Sequence, residues 1–146
     1  KFLIDVTGAK PSMIKVSAKT DKVGAEYYAF STPLGPGEFW QERPGSDTLE
    51  AIAGNYVGGY VGDCKAKAER SDQKPVAGDH GKLVASTVYC AQSPYQDDGP
   101  EFVSYSFIEA EDMISIYMTY TSGNKANAKS DSLGRLIAKR SEEIVQ

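Results

Sequence analysis

Residues 102–121 read FVSYSFIEAEDMISIYMTYT. In the first half Val103, Tyr105 and Phe107 alternate with Ser104 and Ser106; in the second, Ile114, Ile116 and Met118 alternate with Ser115, Tyr117 and Thr119. A period of two marks strands whose successive side chains point to opposite faces of a sheet. Folded back at Ala110 and Glu111, the segment pairs Glu109 with Asp112, Phe107 with Ile114, Tyr105 with Ile116 and Val103 with Met118. The same register sets Ser106 against Ser115, Ser104 against Tyr117 and Phe102 against Thr119. A slip by one residue would exchange the two faces. The hairpin is therefore expected to have an apolar side that another layer covers and a hydroxyl-rich side that meets water.

Upstream lie the two cysteines, Cys64 and Cys90. Residues 64–70 alternate Cys64, Ala66 and Ala68 against Lys65, Lys67 and Glu69, and residues 83–91 form a β-rich run. The stretch SDQKPVAGDHG at 71–81 joins them and is full of breakers. An antiparallel pair with Arg70 near Val84 would bring Cys64 opposite Cys90, at a Cα separation a disulfide can span. Two buried thiols are the alternative. A disulfide favours a location outside the cytoplasm, periplasmic or secreted.

Strand-like pieces at 2–6 and 13–18 flank the turn GAKP, and AEYYAFS at 25–31 leads through TPLGPG to EFWQER at 38–43. After Pro44 and Gly45, Asp47 with Glu50 three residues later reads as a capping box opening a helix over 47–61. Leu49, Ile52, Ala53, Tyr56, Val57 and Tyr60 share one stripe of that helix. Gly54, Gly58 and Gly62 recur on its other side, which points either to fraying toward Gly58 and Gly59 or to a groove where another backbone comes close. Ser130 or Asp131 caps a second helix over 131–144, with Leu133, Leu136, Ile137 and Ile144 on its buried side.

Strands, helix, strands, helix is the pattern of an α+β domain with a mostly antiparallel sheet, and 146 residues fit one such domain spanning 1–146. The order of elements resembles that of the PsbP/Mog1-like sandwiches; cystatin-like and other helix-on-sheet arrangements fit the same order. Sixteen basic and twenty acidic residues give a net charge of −4, which offers nucleic acid or an anionic membrane no general attraction. No apolar run approaches the roughly 20 residues of a membrane-spanning helix. A first residue of Lys1 rather than Met is what a processed chain would show.

Groups for catalysis are scarce. His80, the one histidine, sits in GDHG beside Asp79, and no GxSxG elbow accompanies it, so it reads as a solvated loop residue. One histidine and two bonded cysteines cannot complete a zinc site, and Asp97 and Asp98 before Gly99 lack the spaced ligands of a calcium loop and read as a turn. Glu109, Glu111 and Asp112 cluster at the hairpin tip as solubilising turn residues. Gly54, Gly58 and Gly59 have no Lys-Ser/Thr after them to make a phosphate loop. No catalytic residue, metal or cofactor is expected.

Binding surface is plentiful by comparison, with nine tyrosines and one tryptophan. Tyr56, Tyr60 and Tyr105 fall on expected buried faces. Trp40, Tyr95 and Tyr117 do not, and together with Ser104 and Thr119 they form the expected recognition surface. The reading that follows is a non-enzymatic extracytoplasmic domain that recognises a protein or a small ligand. An enzyme of unrecognised type, an envelope-assembly subunit and an immunity-type inhibitor are the alternatives. The sequence names neither the partner nor the oligomeric state.

Overall fold

The 102–121 hairpin lies inside one continuous antiparallel sheet, flanked on both sides by other strands. The computed structural model describes residues 19–20 and 26–146; the strands expected at 2–6 and 13–18 lie outside the described residues. In chain order the strands are β1 (Lys19–Thr20), β2 (Glu26–Thr32), β3 (Gly35–Glu42), β4 (Glu69–Asp72), β5 (Val76–Gly78), β6 (Gly81–Ser93), β7 (Gly99–Ala110) and β8 (Met113–Ser122). Helix α1 (Leu49–Asp63) falls between β3 and β4, and α2 (Ser132–Val145) closes the chain. Across the sheet the order is β1-β2-β3-β8-β7-β6-β4, with β5 also paired to β6. The expected α+β class, with a mostly antiparallel sheet and two main helices, is the observed one.

The central register differs from the expected one by two residues. Ala110 pairs with Met113, Phe107 with Ile116, Tyr105 with Met118 and Ser104 with Thr119. The turn is Glu111 and Asp112, both left-handed with φ of 53° and 58°, the conformation of a tight hairpin whose twist matches its strands. A shift of two leaves every side chain on its expected face, so alternation could not have detected it.

A helix packs on each face of this sheet. Helix α1 buries Leu49, Ile52, Ala53, Val57 and Tyr60 against Trp40, Val84, Val88, Val103, Tyr105, Phe107, Ile114 and Ile116. Thr48 rather than Asp47 caps it, its hydroxyl accepting from the Ala51 amide at 3.1 Å. With Thr48 as the cap, N3 is Ala51 and Glu50 is out of place for a capping box; it pairs with Lys82 on β6. The helix runs past Gly58 and Gly59 to Asp63 without fraying there, and a Cβ built on Gly54, Gly58, Gly59 or Gly62 would meet nothing within 4 Å, so among the described residues no backbone docks on the glycines.

Helix α2 covers the opposite face, packing Leu133, Ile137 and Val145 on Phe30, Phe39, Leu83, Ala85, Ile108 and Tyr117. This corrects the expectation of a wet face. The serines of β7 are small, and the helix uses that: a Cβ on Gly134 would lie 2.6 Å from Cβ of Ser104. The Asp131 carboxylate caps α2 through the Gly134 amide at 3.1 Å and accepts the Ser104 hydroxyl.

The cysteines do form a disulfide, with Cα atoms 5.9 Å apart, although not by the expected strand pairing. Arg70 lies opposite Val88, not Val84, and residues 64–68 precede β4. Cys64 is the C-cap of α1, its amide bonded to the carbonyls of Tyr60 and Val61, and Lys65 N donates to Gln92 O at 3.0 Å. The bond therefore staples the end of a helix to β6. Residues 71–81, expected as a loop, run instead along β6 as the end of β4 and then β5. Pro75 between them is tolerated because this is the sheet's edge.

Candidate functional site

Because α1 rests on β6 and β7, the described residues leave the same face of β8 and β3 partly uncovered beside it. The gap is a cleft of about 590 Å³. Its floor is built from cross-strand neighbours: Val103 faces Tyr120, Tyr105 faces Met118, and Met118 in turn faces Glu38 on β3. Asn55, Tyr56, Gly59, Tyr60 and Asp63 of α1 form one wall. Tyr95 and Gln96, from a short 3-10 turn at Pro94–Gln96, close one end together with Glu101.

The aromatic wall is held from behind. Tyr56 stacks on Phe107 at 6.1 Å between ring centroids, meets Trp40 edge-on at 5.4 Å and donates its hydroxyl to Glu42 at 2.7 Å. Tyr60 stacks on Tyr95 at 6.0 Å, and the Tyr95 hydroxyl donates to Asp63. Asp97 and Asp98, both left-handed, turn the chain out of the 3-10 helix into β7, which is the turn role expected of them. Lys65 bridges to Asp98 at 2.8 Å just outside the cleft.

Glu101 is the most buried acid in the site, 3 % exposed. The hydroxyls of Tyr60 and Ser93 both donate to its Oε1, at 2.6 and 2.9 Å. No donor among the described residues reaches Oε2. Tyr105 is 5 % exposed, and its phenol likewise has no hydrogen-bond partner among the described residues. The ring of Tyr105 is buried while its hydroxyl opens onto the cleft, where another molecule can bond to it. Burial, reinforced by the charges of Glu101 and Glu38, pushes the Tyr105 and Tyr120 phenols above their ordinary value. Tyr60 rises through burial and its bond to Glu101, and Tyr95 through its bond to Asp63 and then burial.

Among the residues expected to form a recognition surface, Tyr95 alone lines this cleft; it is 60 % exposed. Trp40 is buried under α1 and braces Tyr56 from behind. Ser104, Tyr117 and Thr119 lie on the other side of the sheet beneath α2, where Tyr117 is 1 % exposed and packs on Phe39 at 4.6 Å. Their burial takes them off the surface. His80 is exposed at the β5–β6 turn, its amide donating to the Val145 carbonyl. The residues that sequence reasoning assigned to the core, Tyr56, Tyr60 and Tyr105, carry the site. The available signal was the presence of phenols on an otherwise apolar face, since each brings a hydroxyl that a dry core cannot satisfy.

No protein-family model matches the chain, and no curated protein matches it. A crystal structure of a Pseudomonas aeruginosa protein of unknown function, PA94, is similar over 69 % of this chain and 70 % of its own, at 13 % sequence identity and a TM-score of 0.42. A likeness of that size carries no argument about what this chain does.

Proposed function

We propose that this chain is a binding domain that works outside the cytoplasm and holds a small ligand, or a side chain of a larger one, in the cleft between α1 and the β7–β8–β3 floor. The observation that carries the reading is a pair of polar groups at one place that no described residue partners and that open onto the cleft, Oε2 of Glu101 and the phenol of Tyr105. A ligand in the cleft can bond to both groups at once, which fixes its orientation against the apolar floor. The volume falls within the range of about 300–1,000 Å³ typical of ligand pockets. The Cys64–Cys90 bond supports the location, since disulfides persist in oxidising compartments.

The test is a fragment screen with neutral, cationic and anionic small molecules, followed by backbone amide shift mapping on the oxidised protein. Shifts concentrated at Gly59, Tyr95, Glu101 and Tyr120 are expected for the fragments that bind. Binding confined to other surfaces, or no binding across the library, would overturn the reading.

A further inference from the structure

We infer that the cleft selects a cation, specifically a guanidinium or primary ammonium group carried on an apolar stem. The inference rests on the binding role proposed above and names its ligand class. Thirteen of the described residues line the cleft; Asp63 and Glu101 are acidic, and none of the thirteen is a lysine, arginine or histidine. Lys65, two residues beyond Asp63, is engaged by Asp98. An anion entering here would meet the Asp63 and Glu101 carboxylates, and the donors among the described lining residues are phenols and the amides of Asn55 and Gln96.

The two oxygens that open onto the cleft set the polarity of the match. Oε2 of Glu101 is an acceptor, and a cationic donor brought to it inside the cleft makes a charge-assisted bond, stronger than one between neutral groups. The Tyr105 phenol also has lone pairs to offer. A quaternary ammonium has no N–H to give either of them, whereas guanidinium and primary ammonium groups do. Five tyrosines line the same space, Tyr56, Tyr60, Tyr95, Tyr105 and Tyr120, and the negative face of an aromatic ring attracts a cation brought over it. Val103 and Met118 on the floor accept methylenes. One chemistry thus satisfies every part of the cleft, and it occurs both in free alkylguanidines or amines and in the side chains of an extended peptide.

Three probes of nearly equal shape separate charge from fit: butylguanidinium, the neutral butylurea and the anionic pentanoate, each titrated calorimetrically into oxidised protein at low salt. Butylguanidinium is expected to bind about tenfold or more tightly than butylurea, and pentanoate not to bind. N-acetyl-arginine amide binding more tightly than butylguanidinium assigns the natural source to a peptide side chain; the reverse order assigns it to a free base. Glu101→Gln should weaken butylguanidinium by about tenfold or more. Asp63→Asn, on the exposed end of α1, should weaken it without the risk of misfolding that attends a buried site. Equal affinity for butylurea, or preference for pentanoate, would overturn the charge selection and leave the cleft as a binding site. No binding of butylguanidinium to a folded protein whose cleft takes other fragments would do the same, and silence across probes and library together would remove both readings.

Discussion

Cys90 and Glu101 stand directly opposite each other on β6 and β7, so the disulfide that fixes the end of α1 is anchored one strand away from the buried carboxylate of the cleft. Tyr60, which donates to Glu101, lies one helical turn before Cys64. The bond therefore sets the distance between the wall and the end of the site. With the two cysteines 26 residues apart, the cross-link should contribute about 3.5 kcal/mol in the chain-entropy description. The double variant Cys64→Ser with Cys90→Ser should lose about that much in denaturant unfolding, and should bind cleft ligands more weakly than the oxidised protein. Unchanged unfolding would show that the staple constrains nothing.

The glycines of α1 make the opposite case. Since a Cβ at Gly54 or Gly58 meets nothing, Gly54→Ala and Gly58→Ala should each raise stability by up to about 1 kcal/mol, the helix propensity difference. Gly78→Ala should destabilise instead, because its Cβ would run into the backbone at Val145 and Gln146, where the end of α2 rests on β5. Thermal melts of the three variants check the contrast; a stabilised Gly78→Ala would mean that α2 does not end against β5.

Tyr117 is core. Its replacement by alanine should cost about 3–5 kcal/mol, the range for removing a buried aromatic ring. Tyr95→Ala, at an exposed position, should leave the unfolding midpoint nearly unchanged while weakening ligand binding. Matching losses of stability in the two variants would contradict the assignment of faces.

Asp131 gives the fold a pH dependence. Burial lifts its carboxyl above the ordinary 3.8, against the pull of the Ser104 hydroxyl and the Gly134 amide. The native state then binds this proton more tightly than the unfolded chain, so stability from this group falls as pH rises from the unfolded value to the raised native one, and is flat above it. The stability of wild type relative to Asp131→Asn should decline across that window in urea unfolding series. A difference that rises with pH there would reverse the sign of the argument for Asp131.

The alternation of residues 102–121 was sufficient to place every side chain of the hairpin on its face, and the stripe from Leu49 to Tyr60 to orient α1. The registers were less legible. Period-two patterns repeat under a shift of two, so only the left-handed pair Glu111 and Asp112 decides the pairing, and neither residue type announces that conformation as glycine would. Cys64 and Cys90 were paired correctly from a register that does not exist, because their proximity comes from the end of a helix meeting β6. Ser104 and Ser106 were read as a wet face. A run of small hydroxyls equally lets a helix sit close, and choosing between the two requires knowing where α2 returns. The cleft was illegible for a related reason: it exists because α1 stops short of covering β8 and β3, which is a matter of helix position and not of any residue's identity.

Gly59 offers the most direct test that this gap is the binding site. It lines the cleft, and a Cβ there would stand in open space, so Gly59→Leu would fill the gap from the helix side while improving helix propensity. The measurement is the affinity of Gly59→Leu for a fragment that binds the wild-type protein, taken alongside its melting temperature. Loss of binding with the melting temperature held or raised is the predicted result; undiminished binding in the folded variant would place the ligand elsewhere and contradict the site.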